Sequence, residues 1–200
     1  MGKPKPAPSW WIYSGVNTSA PTPVTGGFSI NIPNVPSAAT FASTDVDRWI
    51  RLNLGYVGYV LKEQTPTTAL RLAITLRIER STPPPVFDYW TSEPANSPGA
   101  GDPASASAII WRKNTGGSCR WWSVDRIWLD AATATTDHTI EIPLTAAAWF
   151  TSDSYGTFAD ALRETWAVGL TFGGGNFRGH GVGLDGGACK FTCTQFQFLT

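Results

Sequence analysis

Leu70-Arg71-Leu72-Ala73-Ile74-Thr75-Leu76-Arg77-Ile78-Glu79 alternates with a period of two. Its leucines and isoleucines share one face, and Arg71, Thr75, Arg77 and Glu79 share the other. One dry face and one wet face are what an antiparallel sandwich asks of a strand. Upstream, Phe28-Ser29-Ile30-Asn31-Ile32 alternates in the same way, and Trp49 to Leu61 is a β-rich run bent at Gly55 and Gly58. Downstream, strands are expected at Ala108-Ile109-Ile110-Trp111 and from Arg120 to Leu129. Asn114-Thr115-Gly116-Gly117 reads as the hairpin turn between them. His138 to Leu144 alternates again, with Ile140, Ile142 and Leu144 inward.

One short helix is predicted. Phe158, Ala161 and Leu162 fall on one helical face, with Asp160 in the first turn and Arg163 near the end. Trp166 to Phe172 is a strand followed by Gly173-Gly174-Gly175. In the last strand the apolar phase of Cys189, Phe191 and Cys193 slips by one before Phe196 and Phe198, which predicts a β-bulge at Thr194-Gln195. Nine or ten strands, one short helix and Gly/Pro turns define an all-β fold, an antiparallel β-sandwich or jelly roll.

Two segments depart from this pattern. Residues 1–27 are rich in Pro, Ser, Thr and Gly and read as an extended N-terminal arm on a sandwich spanning 28–200. Trp10, Trp11 and Tyr13 interrupt the arm as an apolar cluster suited to anchoring it on a neighbouring copy or back on its own domain. Residues 81–106 form a long Pro/Ala/Ser/Gly insertion carrying Phe87, Asp88, Tyr89 and Trp90, and loops of that length are commonly functional.

Fifteen basic and fifteen acidic residues give a formal net charge of zero. That balance argues against nucleic-acid binding, which needs clustered positive charge, and weakens repulsion between copies. Ten tryptophans provide large contact areas with a polar N–H, and core and sheet packing should account for most. No stretch of about 18 apolar residues is present for a membrane span. The basic start, Met1-Gly2-Lys3-Pro4-Lys5-Pro6, has no apolar run behind it, so synthesis in the cytoplasm without a secretory signal is expected. Pro6 stands where a myristoylation pattern prefers Ser or Thr. Asn17-Thr18-Ser19 matches a glycosylation acceptor, which matters only for exported chains.

The three cysteines, Cys119, Cys189 and Cys193, favour free thiols. Cys189 and Cys193 on one strand stand about 13 Å apart, too far to bond, whereas Cys119 pairing with either one across strands stays open.

The stretch from His138 to Phe198 resembles the C-terminal half of galactose-binding-like jelly-roll domains. The resemblance rests on Ile142-Pro143-Leu144, Trp149, Gly156-Thr157-Phe158, Ala161-Leu162, Val168-Gly169-Leu170-Thr171-Phe172, Gly183-Leu184-Asp185 and a final strand with alternating aromatics. It covers about a third of the chain. Gly186 follows Leu184-Asp185 where such modules often carry Asn. The resemblance implies glycan binding through loops or a concave sheet face, although fold alone does not dictate function. In style, a Thr/Gly/Pro-rich sandwich with an arm is also similar to phage virion decoration and appendage proteins.

The remaining chemistry is sparse. His180, in Arg178-Gly179-His180-Gly181, is either a polar contact for a sugar or partner or a turn histidine. His138 reads as a strand-edge residue, and two histidines so far apart make no metal signature. The glycine run at 173–175 lacks the following helix and Lys-Ser/Thr of a phosphate loop. No Gly-x-Ser-x-Gly occurs, and no spacing selects a pair of carboxylates for glycoside hydrolysis. A calcium site of scattered oxygens stays open, although no Asp-rich loop appears.

The sequence therefore predicts no catalytic residues, no cofactor and no metal. Tyr89, Trp90, Arg178 and His180 are the candidate glycan or partner contacts, and Trp10, Trp11 and Tyr13 the candidate assembly arm. Expected partners are copies of the chain or other structural subunits, with a glycan as a further possibility, and neither nucleic acid nor membrane. The expected function is a non-enzymatic virion decoration or appendage component, alternatively a carbohydrate-binding module. The expected location is the virion, alternatively the cell exterior by non-classical export.

Overall fold

A computed structural model describes residues 10–12, 21–32, 56–60, 68–89, 101–114, 117–129, 135–152, 156–175 and 181–200. In chain order its strands are β1 (Trp11–Ile12), β2 (Thr22–Val24), β3 (Gly27–Asn31), β4 (Tyr56–Val60), β5 (Arg71–Arg80), β6 (Val86–Tyr89), β7 (Ser105–Asn114), β8 (Gly117–Trp128), β9 (Thr135–Pro143), β10 (Trp149–Phe150), β11 (Thr165–Gly173), β12 (Val182–Asp185) and β13 (Cys189–Leu199). Among the described residues one α-helix, α1 (Phe158–Arg163), precedes β11.

The strands form a six-stranded sheet ordered β1-β4-β11-β7-β8-β10, a five-stranded sheet ordered β2-β3-β13-β5-β9 and a ribbon of β12 and β6. Every pairing is antiparallel. The chain is thus an all-β sandwich, as its alternating pattern predicts.

β5 shows how sequence becomes layer. Leu72, Ile74, Leu76 and Ile78 are buried in the core, while Arg71 and Arg77 face water. Leu70 has the same parity as the buried leucines, yet it precedes the strand and is 69% exposed. β13 carries the predicted bulge, with a register shift between Cys193 and Gln195 against β5. The bulge absorbs the extra residue, so Phe196 lies on the same buried side as Cys193. The β7–β8 hairpin closes with Asn114 opposite Gly117, where the turn chemistry places it.

The core is joined by aromatic stacks. Phe191 of the five-stranded sheet stacks on Phe172 of the six-stranded sheet at 5.3 Å and on Phe87 of the ribbon at 6.0 Å, so one stack ties all three sheets together. At another point Phe158 of α1 lies between Trp121 and Trp149, at 5.3 and 5.4 Å. The helix is fixed by a capping box in which the Thr157 hydroxyl accepts from the Asp160 N–H and the Asp160 carboxylate accepts from the Thr157 N–H.

Two expectations need correction and one holds. The arm expected over 1–27 is, where described, part of the sandwich: β1 and β2 are edge strands of the two large sheets. The insertion expected over 81–106 contains β6 and the start of β7, because Val86-Phe87-Asp88-Tyr89 alternates and pairs with β12. The free thiols favoured by the sequence are found: Cys119 lies on the six-stranded sheet, Cys189 and Cys193 lie on the five-stranded sheet, and all three are free and buried.

Candidate functional site

The outer faces of the two large sheets differ in kind. On the five-stranded sheet, polar side chains pair across neighbouring strands. Ser29 bonds Thr192 at 3.2 Å, Thr75 bonds Thr139 and Gln195 at 3.0 and 3.1 Å, and Arg77 holds Asp137 in a two-point ion pair. Arg71–Glu141 and Lys190–Glu79 add ion pairs at 3.1 and 3.4 Å. The Arg77 contact holds the Asp137 carboxyl below its ordinary range. This face is wet, as expected.

The outer face of the six-stranded sheet is not. A row of large rings crosses it, with members on β1, β11, β7, β8 and β10. Trp11 on β1 meets Trp166 on β11 at 6.3 Å, and Trp166 meets Trp111 on β7 edge-on at 5.2 Å. The guanidinium of Arg120 on β8 stands 6.0 Å from the Trp111 ring and 5.7 Å from the Trp122 ring. Trp122 then stacks on Phe150 of β10 at 5.8 Å. None of these side chains belongs to the inter-sheet core, and the five rings are half-buried. Ile109, Ala167 and Thr171 on the same face are buried too, so this sheet is dry on both sides over much of its width.

The same face continues to a different end at the tail of β8. Trp128 is 42% exposed, and the Arg126 guanidinium lies 4.5 Å from the centre of its ring. Arg126 Nη2 donates to Asp102 Oδ2 at 2.5 Å, with the arginine side chain 11% and the aspartate 34% exposed. Arg126 Nη1 is buried with no hydrogen-bond partner, and so is Oγ of Ser107, its opposite number across the β7–β8 ladder. The Asp102 backbone carbonyl also accepts from the Gly175 N–H at 2.9 Å.

Of the residues expected to make contacts, Tyr89 is described. It ends β6 opposite Val182, and its ring lies against Gly174 so closely that a Cβ there would overlap it. That contact requires glycine. Trp90, Arg178 and His180 lie outside the described residues. The described residues flanking them share Tyr89's rim, since Gly175 bonds Asp102 and the Gly181 N–H donates to the Phe172 carbonyl at 2.8 Å. Beside Tyr89, Asp88 has one buried carboxylate oxygen without a partner. Desolvation, helped by nearby Asp185 and opposed by the Tyr89 N–H, raises its pKa.

Trp10 is buried in the chain's own core, 4.8 Å from Phe28 and 5.7 Å from Phe196. Trp11 pairs with Gly58 and starts the aromatic row. Tyr13 lies outside the described residues. His138 is on the edge strand β9, as expected, opposite Leu76 with Nε2 buried and unpartnered.

The aromatic row, Trp128, Arg126 and Asp102 were missed from sequence. Trp111 and Trp166 signal strands, but only the register shifts within β7–β8 and at Thr165/Ala167 decide that they share one outer face. A depression of about 250 Å³ opens on the other sheet beside Asn31, Glu79, Arg80 and Lys190, where Glu79 is already paired with Lys190. Among the described residues no cluster of three or more His, Cys, Asp or Glu is placed to hold a metal ion, and no helix is long and apolar enough to cross a membrane. No protein-family model, curated protein or solved structure matches this chain.

Proposed function

We propose that this chain is a non-catalytic structural and adhesion module, of the kind that decorates a virion or forms part of its appendages. It assembles with copies of itself or with other structural subunits and leaves its charged five-stranded face toward water. One observation carries this reading: the ring row Trp11–Trp166–Trp111–Trp122–Phe150, with Arg120 between two of its members, on the outer face of the six-stranded sheet. Large aromatics and arginine dominate protein contact energies, and an apolar face opposite a polar one gives a subunit a defined contact side. With Trp10 held in its own core, assembly passes from the arm to this face. Zero net charge removes long-range repulsion between copies.

Sedimentation velocity over a wide concentration range tests the proposal. The wild-type chain is expected to associate, and a Trp111→Ala/Arg120→Glu double variant to sediment as a folded monomer. A wild-type chain that stays monomeric, alone and with its co-expressed structural partners, would remove the proposal.

A second reading, carbohydrate recognition, is favoured by a separate observation, the exposed indole of Trp128 beside the Arg126–Asp102 pair. Glycan-array binding by the intact chain tests it.

A further inference from the structure

We infer that Trp128, Arg126 and Asp102 form a subsite for one uncharged pyranose ring, an inference that rests on the carbohydrate reading above. Trp128 is 42% exposed, whereas Trp10, Trp121 and Trp149 are each less than 10% exposed. The Arg126 guanidinium 4.5 Å from its ring centre holds the indole in place, so little side-chain freedom is left to lose on binding. The ring itself offers a flat apolar surface.

The polar groups beside that surface are the complement of a ring of hydroxyls. Asp102 is partly exposed and has acceptor capacity beyond its bond from Arg126. Arg126 Nη1 keeps a donor without a partner, and the Ser107 hydroxyl across the ladder is likewise unpartnered. Both atoms are buried, so a hydroxyl oxygen that reached either would satisfy a group now without a partner. A ligand with a flat hydrocarbon face and hydroxyls at its perimeter meets both demands, and that is a pyranose.

Charge selects among pyranoses. Asp102 neutralises Arg126, so the subsite has no net charge to offer a uronate or sialate carboxylate. An acidic sugar would meet the Asp102 carboxylate at close range, which disfavours it.

The test is calorimetric titration of the full chain with neutral hexasaccharides of glucose, mannose and galactose, and with galacturonate hexamers and sialyllactose. Binding to at least one neutral oligosaccharide is expected, with weaker or no binding to the acidic ones. Trp128→Ala should weaken that binding by about tenfold or more, and Trp128→Phe by less, both with an unchanged melting temperature. Asp102→Asn should shift preference toward the acidic sugars, because it leaves the guanidinium uncompensated. Neutral-sugar binding that ignores Trp128→Ala overturns the subsite while leaving the carbohydrate reading standing. A wild-type preference for acidic sugars overturns the charge argument. Failure of the chain to bind any of the sugars removes the subsite and the carbohydrate reading together.

Discussion

Phe172 and Phe191 stack across the sandwich with ring centroids 5.3 Å apart and planes within 19° of parallel. Both are fully buried. Phe191 also meets Phe87, so this one side chain is shared by all three sheets. Phe191→Ala would lose its transfer energy and leave a cavity that three separate backbones must close. A loss of about 3–5 kcal/mol is expected in urea unfolding, with Phe87→Ala costing less because only one of the two stacks is lost.

The bulge between Cys193 and Gln195 sets which side Phe196 and Phe198 face. Deleting Thr194 removes the extra residue and leaves Cys193-Gln195-Phe196 in plain alternation, so both rings stay on the buried side in the same register against β5. Trp10 then keeps its contact with Phe196. The deletion variant should fold with wild-type tryptophan emission, whereas deleting Gln197, outside the bulge, should turn Phe198 outward and lower the melting temperature. A red-shifted emission on deleting Thr194 would contradict the bulge.

Burial pushes the Cys189 thiol up to about 11 and the Cys193 thiol up to about 12. The thiolate is the reactive form, so both should be inert near neutral pH. With Cys119 also buried and free, a disulfide-exchange reagent at pH 8 should titrate no thiol in the folded chain and all three in urea. Fast reaction of any one of them without denaturant would contradict the packing described.

Asp160 accepts from the Thr157 backbone N–H, then from the Thr157 hydroxyl and Arg163, which together lower its pKa from 3.8 to about 2. A depressed folded value means the stabilisation is fully present above about pH 4 and is lost as pH falls through about 2. Asp137, held down by Arg77, and Glu164, held down by Arg112, act in the same direction. Asp160→Asn should therefore be less stable than wild type near neutrality and lose less on acidification. Melting curves from pH 5 to pH 2 compare the two slopes.

Much of the fold could be read from alternation alone. β5, the β7–β8 hairpin, α1 and the bulge in β13 each follow from apolar phase, turn chemistry or a phase slip within a few residues. What could not be read depends on contacts between distant segments. β6 was hidden by the prolines before it, and its strand identity comes from pairing with β12, about a hundred residues away. Trp10 looked like an anchor because sequence shows an apolar cluster but not its destination. The outer row was hidden for a related reason: period two separates faces along one strand, but it does not reveal that Trp11, Trp111, Trp122 and Trp166 of four strands line up. At the candidate site, Trp128 and Arg126 read in the sequence as ordinary strand residues, because alternation does not show that Asp102 comes to lie beside them.

The contrast between the two broad sides gives this molecule a top and a bottom. At an interface with oil, air or a solid support it should settle with the same side down each time, the charged lattice of Arg71, Arg77, Asp137 and Glu141 pointing away. A layer of such molecules would present one uniform ionic carpet to whatever approaches from solution.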